Sequence, residues 1–256
     1  MSTSKNNNTL IIAGAVVFAG LLIAAGVFFG NDSNLDNNTA NSQDGVIAAA
    51  EAAGLDSEGF RSCINSSEFQ SDVEEDVNNA SEAGASGTPY NVLVMSNAIS
   101  ESARTDINNL INGLEISEDG KRLAIGGAMP YAAMTQLIDI ILTDNDSASS
   151  DGENSNDIAV NPVDENDHIR GNIDAQIVLV EYSDFLCPFC GQFHNTMKEL
   201  MDTYSDNELA WVYRQFPIPS LHPQAPRYSQ ASECIADIEG NEGFWEYADS
   251  VFETQG

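Results

Sequence analysis

Residues 10–29 (LIIAGAVVFAGLLIAAGVFF) form one unbroken apolar run, the length of a single helical crossing of a bilayer core. Lys5 precedes the run and Asp32 and Asp36 follow it, a weak positive-inside bias that puts the remainder outside the cytoplasm. The pattern predicts a cytoplasmic tail at 1–9, a transmembrane anchor at 10–29 and a polar stalk at 30–44. The localisation it implies is the cell membrane, single-pass, with the C-terminal part extracytoplasmic, on the periplasmic or extracellular side. A cleaved signal peptide is the competing reading, although the run exceeds the usual apolar region of ~7–15 residues. A second polar stretch, 143–158, reads as a flexible linker and divides the rest into blocks 45–142 and 159–256.

The first block opens with helical patterns. VIAAAEAAGL begins at Val46, a short turn of helix follows Asp56, and Phe69, Val73, Val77 and Ala80 recur at helical spacing until Gly84 and Gly87 stop them. A strand pattern YNVLVM follows at 90–95. An amphipathic helix carries Ile107, Leu110, Ile111 and Leu114, a strand covers 122–125, and Pro130 opens a final helix with Met134, Leu137, Ile138 and Ile141. The second block reads as a strand at 176–182 (QIVLVEY), a helix from Cys187 with Phe193, Met197, Leu200 and Met201, a strand at 209–216 (LAWVYRQF) and two further helices. Asn241 stands as an N-cap before Phe244, Trp245, Ala248 and Phe252. The strand–helix–strand run predicts a right-handed βαβ unit with parallel strands. Two strands per block would leave bare edges, so the pattern predicts one four-stranded sheet built from both blocks, an α/β fold.

Charge narrows the function classes. Nine basic against 40 acidic residues give a formal charge of -31, which repels phosphate at long range and sets aside nucleic acid as a partner. Hydrophobic residues make up 42% of the chain, too many for wholesale disorder. Four cysteines are too few for a disulfide scaffold of 256 residues, so two or four of them have a specific task.

Cys187-Pro188-Phe189-Cys190 follows a strand and opens an amphipathic helix, the setting in which Cys-x-x-Cys does redox chemistry. Unpaired N–H groups and the macrodipole at a helix N-terminus favour thiolate, which makes Cys187 the expected attacking sulfur and Cys190 the resolving one. A structural disulfide between the two and a zinc site are the weaker readings; zinc would need two further ligands from Cys63, Cys234 and three histidines. No metal and no cofactor are expected beyond the redox-active cysteine pair. Glu181, six residues before Cys187, can turn inward beneath the helix and exchange a proton with Cys190, or else point outward. Thr88-Pro89 is an X-Pro bond in a tight turn, a position suited to a cis bond. His194, within one turn of Cys190, reads by periodicity as a surface residue.

EYSDFLCPFCGQFH, VYRQFPIPSLHPQA and GNEGFWEYADSVF resemble, in that order, DsbA-like thiol-disulfide oxidoreductases of the thioredoxin superfamily. DHIRGNIDAQIVLVEYSDF is similar to the start of such a domain. AAEAAGLDSEGFRSCINSS resembles its later helices, SGTPYNVLV its cis-proline strand and GGAMPYAAMTQLIDIIL its last helix. Block 159–256 thus looks like the first half of the domain and block 45–142 the second. The resemblance implies a circularly permuted thioredoxin-like fold with an inserted helical subdomain, plus the N-terminal transmembrane helix. A gene-model artefact joining fragments and exchange of half-domains between two chains stay open beside it, and a monomer is favoured.

By resemblance, Cys187 is the nucleophile, Cys190 the resolving cysteine, Pro89 the cis-proline facing them, and Thr88 offers backbone groups to an extended client. Cys63 and Cys234 are implied as a second, structural disulfide, with two buried thiols as the alternative. The function implied is a membrane-anchored, exported enzyme that forms disulfides in secreted or envelope proteins. Its partners would be reduced exported clients and a quinone-linked membrane protein that reoxidises it. The Pro-Phe dipeptide differs from the Pro-His of strong oxidants, so a reductase or isomerase role stays open, as does a non-catalytic peptide-binding module.

Overall fold

The computed structural model describes residues 45–51, 54, 58–111, 113–144 and 158–254. The expected tail, anchor and stalk, and most of the expected linker, lie outside these residues. Among the described residues no helix is long and apolar enough to cross a membrane. The longest, Ala225–Glu253, is studded with acidic side chains from Glu233 to Glu253. The described fold thus contains no spanning element and gives the expected membrane anchor, and the export and membrane localisation drawn from it, no support.

The elements run α1 (45–51), α2 (Glu58–Cys63), α3 (Gln70–Glu82), β1 (Tyr90–Met95), α4 (Glu101–Leu110), β2 (Glu115–Ile116), β3 (Arg122–Gly126) and α5 (Tyr131–Leu142) in the first block. The second block holds β4 (His168–Arg170), β5 (Ile177–Ser183), α6 (Pro188–Thr203), β6 (Leu209–Gln215) and α7 (Ala225–Glu253). One sheet takes strands from both blocks in the order β2-β3-β1-β5-β6-β4. It has six strands rather than the expected four, because β2 pairs with β3 and β4 pairs with β6 at the two edges. Only β5 and β6 run parallel; β1 lies antiparallel to both β3 and β5, with Tyr90 opposite Tyr182 and Val92 opposite Val180.

Every residue of β5 and β6 is buried, as their near-continuous apolar runs require of central strands covered on both faces. Leu179, Trp211, Leu93 and Ile125 point to one face, where α5, α6 and α7 supply Leu137, Phe193, Met197 and Phe252. Val178, Val180, Val212 and Val92 point to the other, covered by Ala80 of α3, by Ala83 at its C-cap and by Ile158. Burial of each large side chain in these layers contributes about 1.5–3 kcal/mol.

The first block is fastened to the second by polar as well as apolar contacts. Asn79 of α3 is buried, and its Oδ1 accepts from Arg214 (2.9 Å) and from the Tyr182 hydroxyl. Asp76, one turn earlier, accepts the backbone N–H of Gln215 at 2.8 Å. Arg214 in turn donates twice to Asp167, at 2.8 and 3.0 Å, the bidentate geometry that suits a buried guanidinium. Helix α3 ends in a Schellman motif: Gly84 has φ +96°, and the N–H of Ala85 reaches the carbonyl of Ala80 at 2.9 Å.

Helix α7 consists of two helical segments, as expected, separated at Gly240, whose φ of 74° and ψ of -167° break the helical path. Asn241 is not an N-cap. Its side-chain oxygen accepts from the N–H of Ile169 and its amide donates to the carbonyl of Ile169, at 2.9 and 2.7 Å, so it pins the short edge strand β4.

Candidate active site

Both cysteines of the Cys-Pro-Phe-Cys motif stand where the central strands deliver the chain to α6. Strand β5 ends at Ser183, and Asp184 then holds the connecting loop: its carboxylate accepts the N–H groups of Leu186 and Ile218, each at 2.8 Å, and lies 2.8 Å from Nδ1 of His222. Cys187 is the N-cap residue of α6 and Pro188 is its first helical residue, where a missing N–H costs nothing. Cys190 lies on the buried stripe that continues through Phe193, Met197 and Leu200. Phe189, between the cysteines, is 60% exposed. Both sulfurs are free thiols in the structure.

Strand β1 brings the other wall. The Thr88–Pro89 peptide bond is cis and immediately precedes Tyr90, the residue paired with Tyr182. That register sets Thr88 against the start of α6, where its carbonyl oxygen lies 3.5 Å from Cys187 Sγ. Residues 99 positions apart, from opposite blocks, thus meet at the sulfur.

The environment separates the two thiols electrostatically. Cys187 is lowered to about 5, chiefly by the hydrogen bond from the Cys190 side chain, against the opposing effect of burial. The Thr88 side chain and the backbone N–H groups of Cys190 and Phe189 add to the lowering. Near neutral pH the sulfur is therefore a thiolate. Cys190 moves the opposite way, well above the ordinary thiol value, because burial, the Cys187 sulfur and the charge of Glu181 all disfavour its ionisation.

Glu181 points to the same face of β5 as Leu179 and Ser183 and is 1% exposed. Burial raises its pKa to about 7, opposed by hydrogen bonds from Ser183 and Trp211. Ser183 Oγ donates to Oε1 at 2.7 Å and Trp211 Nε1 to Oε2 at 2.9 Å. Trp211 is itself fixed by Trp245, whose ring centroid is 4.5 Å away, and by Arg170, which stacks on both indoles. Because the indole favours the charged carboxylate, Trp211→Phe is expected to move the Glu181 midpoint further up. A hydrogen bond to a charged group is worth ~1.5–3 kcal/mol, or about one to two pH units. Carbon-13 NMR of labelled glutamate across the neutral range reads this directly; an unchanged or lower midpoint would deny Trp211 that role.

His194 differs from its expected surface position. It is 2% exposed, its Nε2 lies 2.6 Å from Asp249, and its ring packs edge-on to Trp211. Asp249 also accepts from Arg170 at 2.6 Å, and these hydrogen bonds hold its carboxyl at about 2 despite burial. Sequence reasoning missed Ser183, Trp211 and the Asp184–His222 clip. Alternation from Glu181 would have put Ser183 on the inner face, whereas nothing in the spacing links His222 to Asp184.

Cys63 of α2 and Cys234 of α7 are joined by a disulfide, with Cα atoms 5.8 Å apart. A cavity of about 590 Å³ lined by Asp76, Asp167, His168 and Glu233 has neither redox cysteine on its wall. Among the described residues no group of three or more His, Cys, Asp or Glu side chains could hold a metal ion. The redox group is the Cys187–Cys190 pair itself.

The sequence profile of a family described as Thioredoxin matches residues 163–256, the stretch that carries β4, β5, α6, β6, α7 and both thiols. Among curated proteins, the chain is 43% identical over 89 residues to the Na(+)/H(+) antiporter NhaA 1 of Mycolicibacterium vanbaalenii, covering 35% of this chain and 14% of that protein. It is 37% identical over 97 residues to NhaA 1 of Salinispora arenicola, covering 37% and 14%. It is 43% identical over 96 residues to NhaA of Herminiimonas arsenicoxydans, again covering 37% and 14%. The chain thus spans about 14% of the length of these relatives. No solved structure matches it. The expected family assignment, a permuted and membrane-anchored DsbA-like protein, is corrected to a narrower one: a thioredoxin-like domain in residues 163–256 whose Cys-x-x-Cys pair has the arrangement of a thiol-disulfide oxidoreductase.

Proposed function

We propose that the protein exchanges disulfides with polypeptide clients and that its favoured direction is oxidation of client dithiols. The observation that carries this reading is the opposite displacement of the two thiols: Cys187 is held at about 5 and Cys190 well above the ordinary thiol value. Stabilising the Cys187 thiolate stabilises the reduced pair, which makes the disulfide the stronger oxidant. A client thiolate attacks Sγ of Cys187 in the oxidised pair; the Cys187–Cys190 bond breaks and Cys190 leaves, taking a proton from Glu181. A second client thiolate then attacks the client sulfur of the mixed disulfide and Cys187 departs as thiolate. The client loses two electrons and the pair gains them, so repeated turnover requires a separate acceptor that reoxidises the pair.

Glu181 suits the proton role because a midpoint of about 7 lets it hold or release a proton near neutrality. Thr88, with its carbonyl at the sulfur, supports a reading in which an extended client segment aligns beside the turn before β1 and pairs with its backbone. The sheet shared by β1 and β5 supports treating the two blocks as halves of one working domain. The test is to mix the oxidised full chain with a reduced peptide carrying two cysteines and follow peptide oxidation by mass. Stoichiometric formation of the peptide disulfide is expected, and its absence would overturn the reading.

A further inference from the structure

Two loops leave the same end of the sheet. Strands β5 and β6 run parallel and finish side by side, with Ser183 paired to Gln215; the chain then turns off β5 toward Cys187 and off β6 toward α7. Both turns converge on one fully buried carboxylate, that of Asp184. Its Oδ1 accepts the N–H of Leu186 in the first turn, and its Oδ2 accepts the N–H of Ile218 and a hydrogen bond from Nδ1 of His222 in the second, each at 2.8 Å. A carboxylate oxygen facing Nδ1 keeps a proton on that nitrogen. The backbone carbonyl of Asp184 accepts the N–H of Cys187 at 3.0 Å, so the residue that receives the imidazole also holds the main chain at the reactive cysteine.

The turn that carries His222 is closed on itself. The carbonyl of Ile218 accepts the N–H groups of Leu221 and His222 at 2.9 and 2.8 Å, and that of His222 accepts from Ala225 at 2.9 Å. The imidazole is 20% exposed and projects from this turn to the carboxylate. At the other end of the link, Cys187 is fixed on both sides: its N–H by Asp184 and its carbonyl by the N–H of Gly191 at 3.1 Å. Its sulfur then lies 3.5 Å from the Thr88 carbonyl. The N–H groups of Phe189 and Cys190 that favour the thiolate act only at hydrogen-bond range, and their effect falls steeply once the sulfur leaves it.

We infer that His222 is a positioning residue for disulfide exchange: acting through Asp184, it ties the turn after β6 to the turn before α6 and so holds the Cys187 sulfur at the helix terminus beside Thr88. This rests on the oxidoreductase reading above. The role belongs to the hydrogen bond rather than to a charge on the ring, because what His222 supplies at Asp184 is one N–H donor among three. Without it the carboxylate keeps two backbone donors, and a buried oxygen loses part of its solvation. The turn before α6 then relaxes toward whatever donors remain, and the sulfur moves with it.

Two variants of the full chain test this, His222→Ala and His222→Asn. Asparagine carries an uncharged N–H donor the same number of bonds from the backbone as imidazole Nδ1. The pH dependence of iodoacetamide alkylation at Cys187, read by mass, gives the thiolate midpoint, and stopped-flow reaction of the reduced chain with Ellman's reagent gives the rate of its attack. In the alanine variant the midpoint is expected to rise by about one pH unit, the worth of one hydrogen bond. The attack then slows about fivefold at pH 5, where the thiolate fraction falls from about a half to about a tenth, and changes little at pH 8, where both proteins are ionised. Asparagine is expected to restore the wild-type midpoint and pH profile. An unchanged midpoint in the alanine variant would overturn the inference, as would a slowing equal at all pH values, which marks a packing defect. A midpoint that rises in both variants would also overturn it, since the ring would then act by its charge. Wild-type protein that releases only one thionitrobenzoate, never closing its own disulfide, would instead refute the oxidoreductase reading; the alkylation midpoints decide the role of His222 independently of that result.

Discussion

Cys187→Ser is expected to abolish disulfide exchange, and Cys190→Ala to stop it after the first attack, leaving a stable mixed disulfide with the client. The second variant carries a further expectation that bears on the origin of the site's reactivity. The hydrogen bond from Cys190 is the largest of the effects that lower Cys187, so removing it should raise the Cys187 midpoint from about 5 toward the ~8.5 of a free thiol. It should not reach that value, because the backbone N–H groups of Phe189 and Cys190 and the helix terminus remain. The pH dependence of iodoacetamide alkylation measures the midpoint. A midpoint still at about 5 would show that the helix terminus and Thr88 suffice, and that the pairing of the two sulfurs is incidental.

Loss of the Cys63–Cys234 bond is the second large effect. The bond closes a loop of 171 residues that contains all of β1 to β6. In the chain-entropy account such a loop restricts the unfolded state strongly, and the expected cost of removing the bond is about 2–5 kcal/mol. It also ties α2 of the first block to α7 of the second, beside Phe60, Ile64 and Ile235 in the same core. Urea unfolding of the Cys63→Ala/Cys234→Ala double variant, with Cys187 and Cys190 intact, should show a lower midpoint. Equal stability would mean that the packing of α2 against α7 already fixes the two blocks.

Much of the central layer was legible because both of its long strands are apolar on both faces. The YNVLVM run predicts β1 at the bounds it takes, and β5 and β6 shift from their patterns by a single residue at one end or both. The edges were not legible: two residues at β2 and three at β4 are too short for alternation to register. Asn241 reads as an N-cap since it precedes an apolar helical stripe, but the chain spends both of its polar atoms on Ile169. His194 stands four residues after Cys190 and three before Met197, on the buried face of α6; its polarity made it read as a surface residue, and the tertiary approach of Asp249, 55 residues away, makes its burial tolerable. The cysteine motif needed no tertiary information beyond the strand before it and the helix after it. The wall opposite did, since Thr88 reaches Cys187 only through the pairing of β1 with β5.

The same pairing explains why Glu181 is poised. A carboxylate in a strand buried on both faces loses its solvation, and two side-chain donors, Ser183 and Trp211, bring it back only to about 7. The pH dependence follows with a definite sign. Below that midpoint Glu181 is protonated and can supply a proton to a departing Cys190; above it, the carboxylate can receive one from Cys190 as it attacks. Cys187, at about 5, stays ionised across this change.

Under the proposed function, the stabilised Cys187 thiolate makes the pair an oxidant of client dithiols. Equilibration of the full chain in a series of glutathione redox buffers, with the Cys187–Cys190 state read by acid quench and alkylation, gives its reduction potential. A value clearly above the ~−270 mV of thioredoxin is expected, toward the ~−120 mV at which a stabilised reduced form makes a strong oxidant. A potential at or below that of thioredoxin would contradict it.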